Sequence, residues 1–249
     1  LREIAEVDWN TSPPAIAQRV HQSIRTELGC ADPYREIKAR MNQAAAALLP
    51  QVAAAAQRQP NPREALVRLA IAGNLLDAGA QLQVGPEELS ARLDAIWTEP
   101  FWGDADALFR AADEAHCILY LADNAGEIFF DRLLIEALPA EKMTVIVRGA
   151  PVLNDATIED AEAAGLPELV PVFDNGSDAP GTILEDTSPS FRAWFDRADL
   201  IIAKGQGNFE SLCEINKRIV FLFTVKCPVV AARVGWPVGS LIAKEQEAE

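Results

Sequence analysis

Four short polar clusters in the second half of the chain carry side chains able to do chemistry, and each follows an apolar run. The first is Asp123-Asn124-Ala125-Gly126-Glu127, directly after the run Cys117 to Ala122. A carboxylate at the C-terminal end of a buried strand is placed to hold a hard divalent cation, and Asn124 adds a neutral oxygen. Amides opening the next helix can receive anionic oxygens. The same residues equally make an Asx turn with Asp123 as the helix cap. The second cluster, Arg148 to Thr157, places Asp155 after the run Met143 to Val147, so two neighbouring strands converge Asp123 and Asp155 on one ion. Asp155 otherwise only starts the turn that Thr157 caps, and Arg148 either faces a phosphate or forms a surface ion pair.

The third cluster, Lys204-Gly205-Gln206-Gly207-Asn208, follows the run Leu200 to Ala203 and opens a helix. Its glycines let backbone approach an anion and Lys204 adds a point charge. It is neither a Walker A loop, which ends in Lys followed by Ser or Thr, nor a Rossmann fingerprint. In the fourth, Lys226-Cys227-Pro228, Lys226 is a second phosphate ligand or an edge charge. The loop from Asp174 to Gly181 suits a substrate rim or a plain turn. In the first half, Asn74 and Asp77 interrupt an apolar face after Gly73; buried polar groups need partners, so they lock the two halves together or reach the cleft. The two histidines, His21 and His116, lie in no ligand spacing and read as structural or surface residues, which argues against a His-centred zinc site or a Ser-His-Asp hydrolase.

The elements that must position these residues change character near residue 100. Residues 12 to 95 repeat apolar positions at helical spacing, predicting helices over Pro14–Leu28, from an Asp32-Pro33 cap through Leu48 with Pro50 breaking or kinking it, over Pro62–Asp77, and over Pro86–Ala95. Beyond residue 100, Ile118–Ala122, Met143–Val147, Leu169–Phe173, Leu200–Ala203 and Ile219–Val225 are short apolar runs separated by loops and helical stretches. Continuous rather than alternating apolar residues mean strands covered on both faces of a mostly parallel sheet. The expected fold class is α/β: a three-layer α/β/α domain over residues 101–249, with an N-terminal all-helical domain over 1–100. Such sheets bind ligands beyond the carboxyl ends of their strands.

Thirty-seven Asp and Glu outweigh 22 Lys and Arg, for a net charge of −15. That field disfavours nucleic acid and anionic membrane as partners, and no apolar run is long enough to span a bilayer. A small phosphate remains accessible through a cation or a local Lys or Arg cluster. Cys30, Cys117, Cys213 and Cys227 form no CxxC pair, so neither a zinc knuckle nor a disulfide scaffold is signalled; Cys117 and Cys227 read as buried thiols, and the cytoplasm is the expected compartment.

Six stretches, "DPYREIKARMN", "LAIAGNLLDAGA", "LYLADNAGEIFFDRLLIEAL", "RGAPVLNDATIEDAEAAG", "ADLIIAKGQGNFESL" and "FLFTVKCPVVA", occur in order from Asp32 onward. Together they resemble the DUF89 family of metal-dependent damage-control phosphatases, in its shorter archaeal and bacterial type of branch. Members of that branch often begin with a cysteine-containing segment, and this sequence starts at Leu1 without one. The resemblance implies an α/β domain joined to a helical one, and hydrolysis of small phosphate monoesters with Mn2+, Mg2+, Co2+ or Ni2+. It makes Asp123, Asn124 and Asp155 the metal ligands, and places Glu127, Lys204, Asn208 and Asn74 at the substrate phosphate or behind it. Asp123, Glu127 and Lys204 are then the catalytic set, with water attacking directly, since the DxD pattern of an aspartyl-phosphate enzyme is absent. The partner is a small phosphorylated metabolite. The competing reading is a non-catalytic module that binds a metal and a phosphometabolite.

Overall fold

In a computed structural model of the chain the described residues are Asp8, 11–73, Ala91 and 94–248. Most of the helix expected over Pro86–Ala95, together with Asn74 and Asp77, lies outside them. The first three helices among the described residues are α1 (Pro13–Leu28), α2 (Arg35–Gln57) and α3 (Pro62–Ala72). Then follow β1 (Phe101–Gly103), α4 (Ala105–Glu114), β2 (Ile118–Leu121), α5 (Glu127–Ala137), β3 (Met143–Val147), α6 (Ile158–Ala163) and β4 (Val172–Asp174). The chain continues through α7 (Pro189–Arg197), β5 (Leu200–Lys204), α8 (Gly205–Leu212), β6 (Ile219–Thr224), α9 (Pro228–Val234) and β7 (Leu241–Gln246).

The strands form one sheet of order β1-β7-β6-β5-β2-β3-β4, parallel throughout except where β7 runs antiparallel to β6. Successive side chains of a strand point to opposite faces, and the burial follows that rule. Ile118 and Tyr120, Leu200 and Ile202, and Val220 and Leu222 enter one cluster with the buried residues of α2 to α6. Leu119 and Leu121, Ile201 and Ala203, and Phe221 and Phe223 enter a second with α7, α8 and α9. Both faces are covered, as the continuous apolar runs require. The first cluster runs without a break from Ala45 on α2 to Ala243 on β7, so α2 and α3 share a core with the sheet.

Local expectations change at Asp32 and at two cysteines, and of the two readings of Pro50 the break is ruled out. The second helix starts at Arg35, and Asp32 instead accepts the Tyr34 N–H at 3.0 Å in a turn ahead of it. Pro50 sits inside α2 without ending it. A mid-helix proline costs about 3 kcal/mol, and burial of Met41, Ala45, Val52 and Ala56 along one stripe of α2 offsets that. The four cysteines are free thiols, with Cys117 and Cys227 half-buried rather than buried. No helix among the described residues is long and apolar enough to cross a membrane.

Candidate active site

From β2 the chain proceeds to β3 and β4 on one side, and from β5 to β6 on the other. The carboxyl ends of β2 and β5 therefore border the crevice where open parallel sheets take their ligands. Asp123 lies just past the end of β2, and Lys204-Gly205 ends β5 and opens α8. Across the neighbouring ends of β2 and β3, two loops are stitched by backbone: Ala156 N–H donates to Asp123 O at 2.8 Å, and Ala125 N–H to Asn154 O at 2.8 Å. They pair Asn124 with Asp155 as a single antiparallel bridge. This pairing brings Asp123, Asn124 and Asp155 side by side, all nearly buried. Leu153, in the turn just before Asn154, holds a φ of 47°, a left-handed conformation costly for a non-glycine residue.

Polar contacts fill the site. Asn124 Nδ2 donates to Asp123 Oδ2 at 2.8 Å and to Glu127 Oε2 at 3.3 Å. Arg148 is no surface ion pair: it is buried, donates from Nε to Asp155 Oδ2 at 2.7 Å, and holds Nη2 3.8 Å from Asp123 Oδ1 with no hydrogen bond of its own. Asn208, fully buried, accepts from Thr182 Oγ1 at 2.8 Å and from Arg148 Nη1 at 3.4 Å, and donates to Lys204 O at 2.8 Å. Lys226 is exposed, and its charge reaches Asp155.

Lys204 is held by the chain's own groups. Its ammonium is fully buried, paired with Glu127 Oε1 and with Asp131 Oδ1 at 2.8 Å, and bound to Ala70 O. Tyr120, inside β2, donates to the same Asp131 oxygen at 2.7 Å. Burial by itself would lower the Lys204 pKa, but Asp131 and Glu127 outweigh it and hold the ammonium charged. One lysine cannot neutralise two buried carboxylates, and burial pushes both the Glu127 and the Asp131 carboxyls up against its pull. Asp155 rises to about 7, through burial and the Asp123 charge, despite Arg148.

Sequence reasoning missed Asp131 and Tyr120. The signal for Asp131 was present: Glu127 and Asp131 stand four apart on a helix whose other buried residues are all apolar, the spacing of two groups that share a partner. Two other expectations change. The amides opening α5 are already bonded, Glu127 N to Ala125 O, Ile128 N to Asn124 O and Phe129 N to Gly126 O, so they are not an anion cradle. And the anion that Gly205 admits is the chain's own: a Cβ there would fall inside the Asp123 carboxylate. Gly73, ending α3, does the same for Glu127, whose Cα and Cβ a side chain would strike. Asn74 lies outside the described residues.

The family model described as "Damage-control phosphatase ARMT1-like domain" matches residues 1–242. This chain belongs to that family. Among members of the damage-control phosphatase family, it is 37% identical over 237 residues to the damage-control phosphatase of Archaeoglobus fulgidus, covering 93% of this chain and 82% of the relative. It is 36% identical over 243 residues to the damage-control phosphatase PH1575 of Pyrococcus horikoshii, covering 95% of this chain and 83% of the relative. The crystal structure of a DUF89 family protein from Pyrococcus horikoshii superposes with a TM-score of 0.86 at 34% identity, covering 99% of this chain and 87% of the other. The family's α/β fold, expected from the six matched stretches, is thus the fold of this member.

Proposed function

We propose that this chain is a divalent-metal-dependent phosphomonoesterase that hydrolyses small phosphorylated metabolites by direct attack of water. The observation that carries the reading is the convergence of Asp123, Asn124 and Asp155 at the switch point of a parallel sheet, with the Nη2 of buried Arg148 turned to Asp123. The names of its relatives support the phosphatase class.

The donor set fits a hard cation. Among the described residues no group of three or more His, Cys, Asp or Glu side chains could hold a metal. Two carboxylates and one amide oxygen are instead what Mg2+ or Mn2+ uses when water and substrate phosphate complete its shell. Bound by Asp123, Asn124 and Asp155, such a cation (Mn2+, Mg2+, Co2+ or Ni2+) supplies Lewis-acid polarisation and an acidified water.

The protein groups divide the remaining work. Arg148 Nη2, a buried donor without a hydrogen bond, meets the phosphoryl oxygens, while Asp155 and Asn208 hold the other guanidinium nitrogens in place. Glu127 orients the attacking water, with one carboxylate oxygen fixed by Lys204 and the other by Asn124. Lys204 therefore acts behind Glu127 rather than on the phosphate, and Asn208 acts behind Arg148. Preorganised charge of this kind lowers a barrier because it needs no rearrangement in the transition state.

The test is metal-stripped protein assayed on a panel of phosphate esters, with Mg2+, Mn2+, Co2+ and Ni2+ restored one at a time. Turnover that returns with a cation and is lost in Asp123→Ala supports the phosphatase. Cation and inorganic phosphate binding without turnover of any ester would make the chain a metabolite-binding module instead.

A further inference from the structure

The stretch "DPYREIKARMN" leads into and opens α2, and nothing in the chemistry above uses its polar residues. Two of them, Lys38 and Asn42, stand four apart and so share one helix face, which looks onto the two loops that carry the candidate ligands. Asn42 Oδ1 accepts the Gly126 N–H at 2.7 Å, in the loop of Asp123 and Asn124. Asn42 Nδ2 donates to Asp160 Oδ1 at 2.8 Å, on α6 beyond Asp155. Asp160 is itself held on its second oxygen, accepting the Thr157 N–H at 2.8 Å and pairing with Lys38 Nζ at 2.8 Å. Lys38 and Asp160 are both buried, each 4% exposed, so solvent does little to weaken the pair.

We propose that Asn42, supported by Lys38 and Asp160, is a positioning residue: its amide spans the loop after β2 and the start of α6, and sets the spacing of Asp123 and Asn124 from Asp155.

The chemical reason lies in the amide. A planar carboxamide offers an acceptor and a donor a fixed distance apart, and here one loop needs the acceptor and the other the donor. A carboxylate satisfies Gly126 but repels Asp160; an aliphatic side chain satisfies neither. The backbone bonds between the loops join them at one edge, and Asn42 ties the segments that follow to one rigid helix. Ligands for a cation or a reacting group must be held to within about 0.5 Å, and two short loops fixed on one side only do not meet that tolerance. The catalytic consequence rests on the phosphatase reading, whereas the mechanical one does not.

The experiment therefore has two arms. In metal-free protein, hydrogen exchange of Asn42→Leu is compared with wild type. The segments around 123–127 and 154–160 are expected to exchange about tenfold faster, with the interior of α5 unchanged. Asn42→Asp, which keeps the acceptor and stands in should Asn42→Leu fail to fold, is expected to loosen 154–160 alone. In the second arm, Mn2+ affinity is measured by titration calorimetry, and kcat and KM on p-nitrophenyl phosphate at saturating Mn2+. Asn42→Leu should weaken Mn2+ about tenfold and lower kcat more than KM changes. Asn61→Ala, which removes the cap of α3 and destabilises the chain elsewhere, should change neither. Unchanged exchange in both segments, or Mn2+ affinity and kcat equal to wild type, overturns the proposal. Wild-type protein that neither binds Mn2+ nor turns over ester would sink the phosphatase reading, and the exchange arm would still decide the role of Asn42.

Discussion

Gly205 sits against the carboxylate of Asp123, at a φ of +81°, with no room for even one carbon between them. A methyl group there must push the Asp123 side chain, and a misplacement of about 1 Å at a reacting centre costs about 10²-fold in rate. Gly205→Ala is expected to lower kcat by about that factor. The left-handed backbone adds a stability loss of about 1–2 kcal/mol, too small to unfold a domain of this size, and urea denaturation separates the two effects.

Arg148 is held by Asp155 and Asn208 in a geometry only a guanidinium can match. In Arg148→Lys a single ammonium cannot serve Asp155 and a phosphate together. A hydrogen bond to a charged group is worth about 1.5–3 kcal/mol. KM for p-nitrophenyl phosphate and the inhibition constant for inorganic phosphate are both expected to rise about 10- to 100-fold. Equal constants in mutant and wild type would remove Arg148 from the phosphate site.

Tyr120 is fully buried and its hydroxyl serves Asp131, whose second oxygen has no hydrogen-bond partner. Tyr120→Phe leaves that carboxyl dependent on Lys204 alone. The expected loss is about 1–3 kcal/mol in chemical denaturation, and a change indistinguishable from zero would show that Asp131 does not need the hydroxyl.

Asp199 accepts the N–H groups of His116 at 2.9 Å and Cys117 at 2.9 Å, joining the chain just before β2 to that just before β5. Burial alone would raise its pKa, but these bonds outweigh it and hold the carboxyl below its ordinary value. A depressed carboxyl contributes stability above its unfolded pKa and loses it as pH falls through the folded one. Its side chain is 43% exposed, and with that screening the contribution is about 1 kcal/mol. Asp199→Ala should therefore be less stable than wild type at neutral pH, with the difference vanishing in acid.

The parallel sheet was legible because its inner strands are apolar on both faces. Met143–Val147 needed no neighbour to be recognised, and Ile118–Leu121 and Leu200–Lys204 were placed to within a residue. At one edge the run Leu169–Phe173 was read three residues early, the strand forming at Val172–Asp174, and the other edge was not legible. Phe101–Gly103 is three residues long and exists as a strand only through its pairing with β7, whose own sequence ends in Lys-Glu-Gln. Ala105–Glu114 could have been read, since Asp104 caps it by accepting the Ala107 N–H.

The sequence by itself determined the family, the sheet, and the acids that follow its strands, because these depend on residue type and on order along the chain. Tertiary structure alone decided what each charge faces. Lys204 follows a strand as a phosphate ligand would, yet α5 sets Glu127 and Asp131 beside it, and a buried ammonium goes to the nearest carboxylates. Arg148 looks like a surface charge until α8 and the loop before α6 close over it. Whether a charged group binds substrate or another part of the chain is a matter of distance and desolvation, and a linear sequence carries neither.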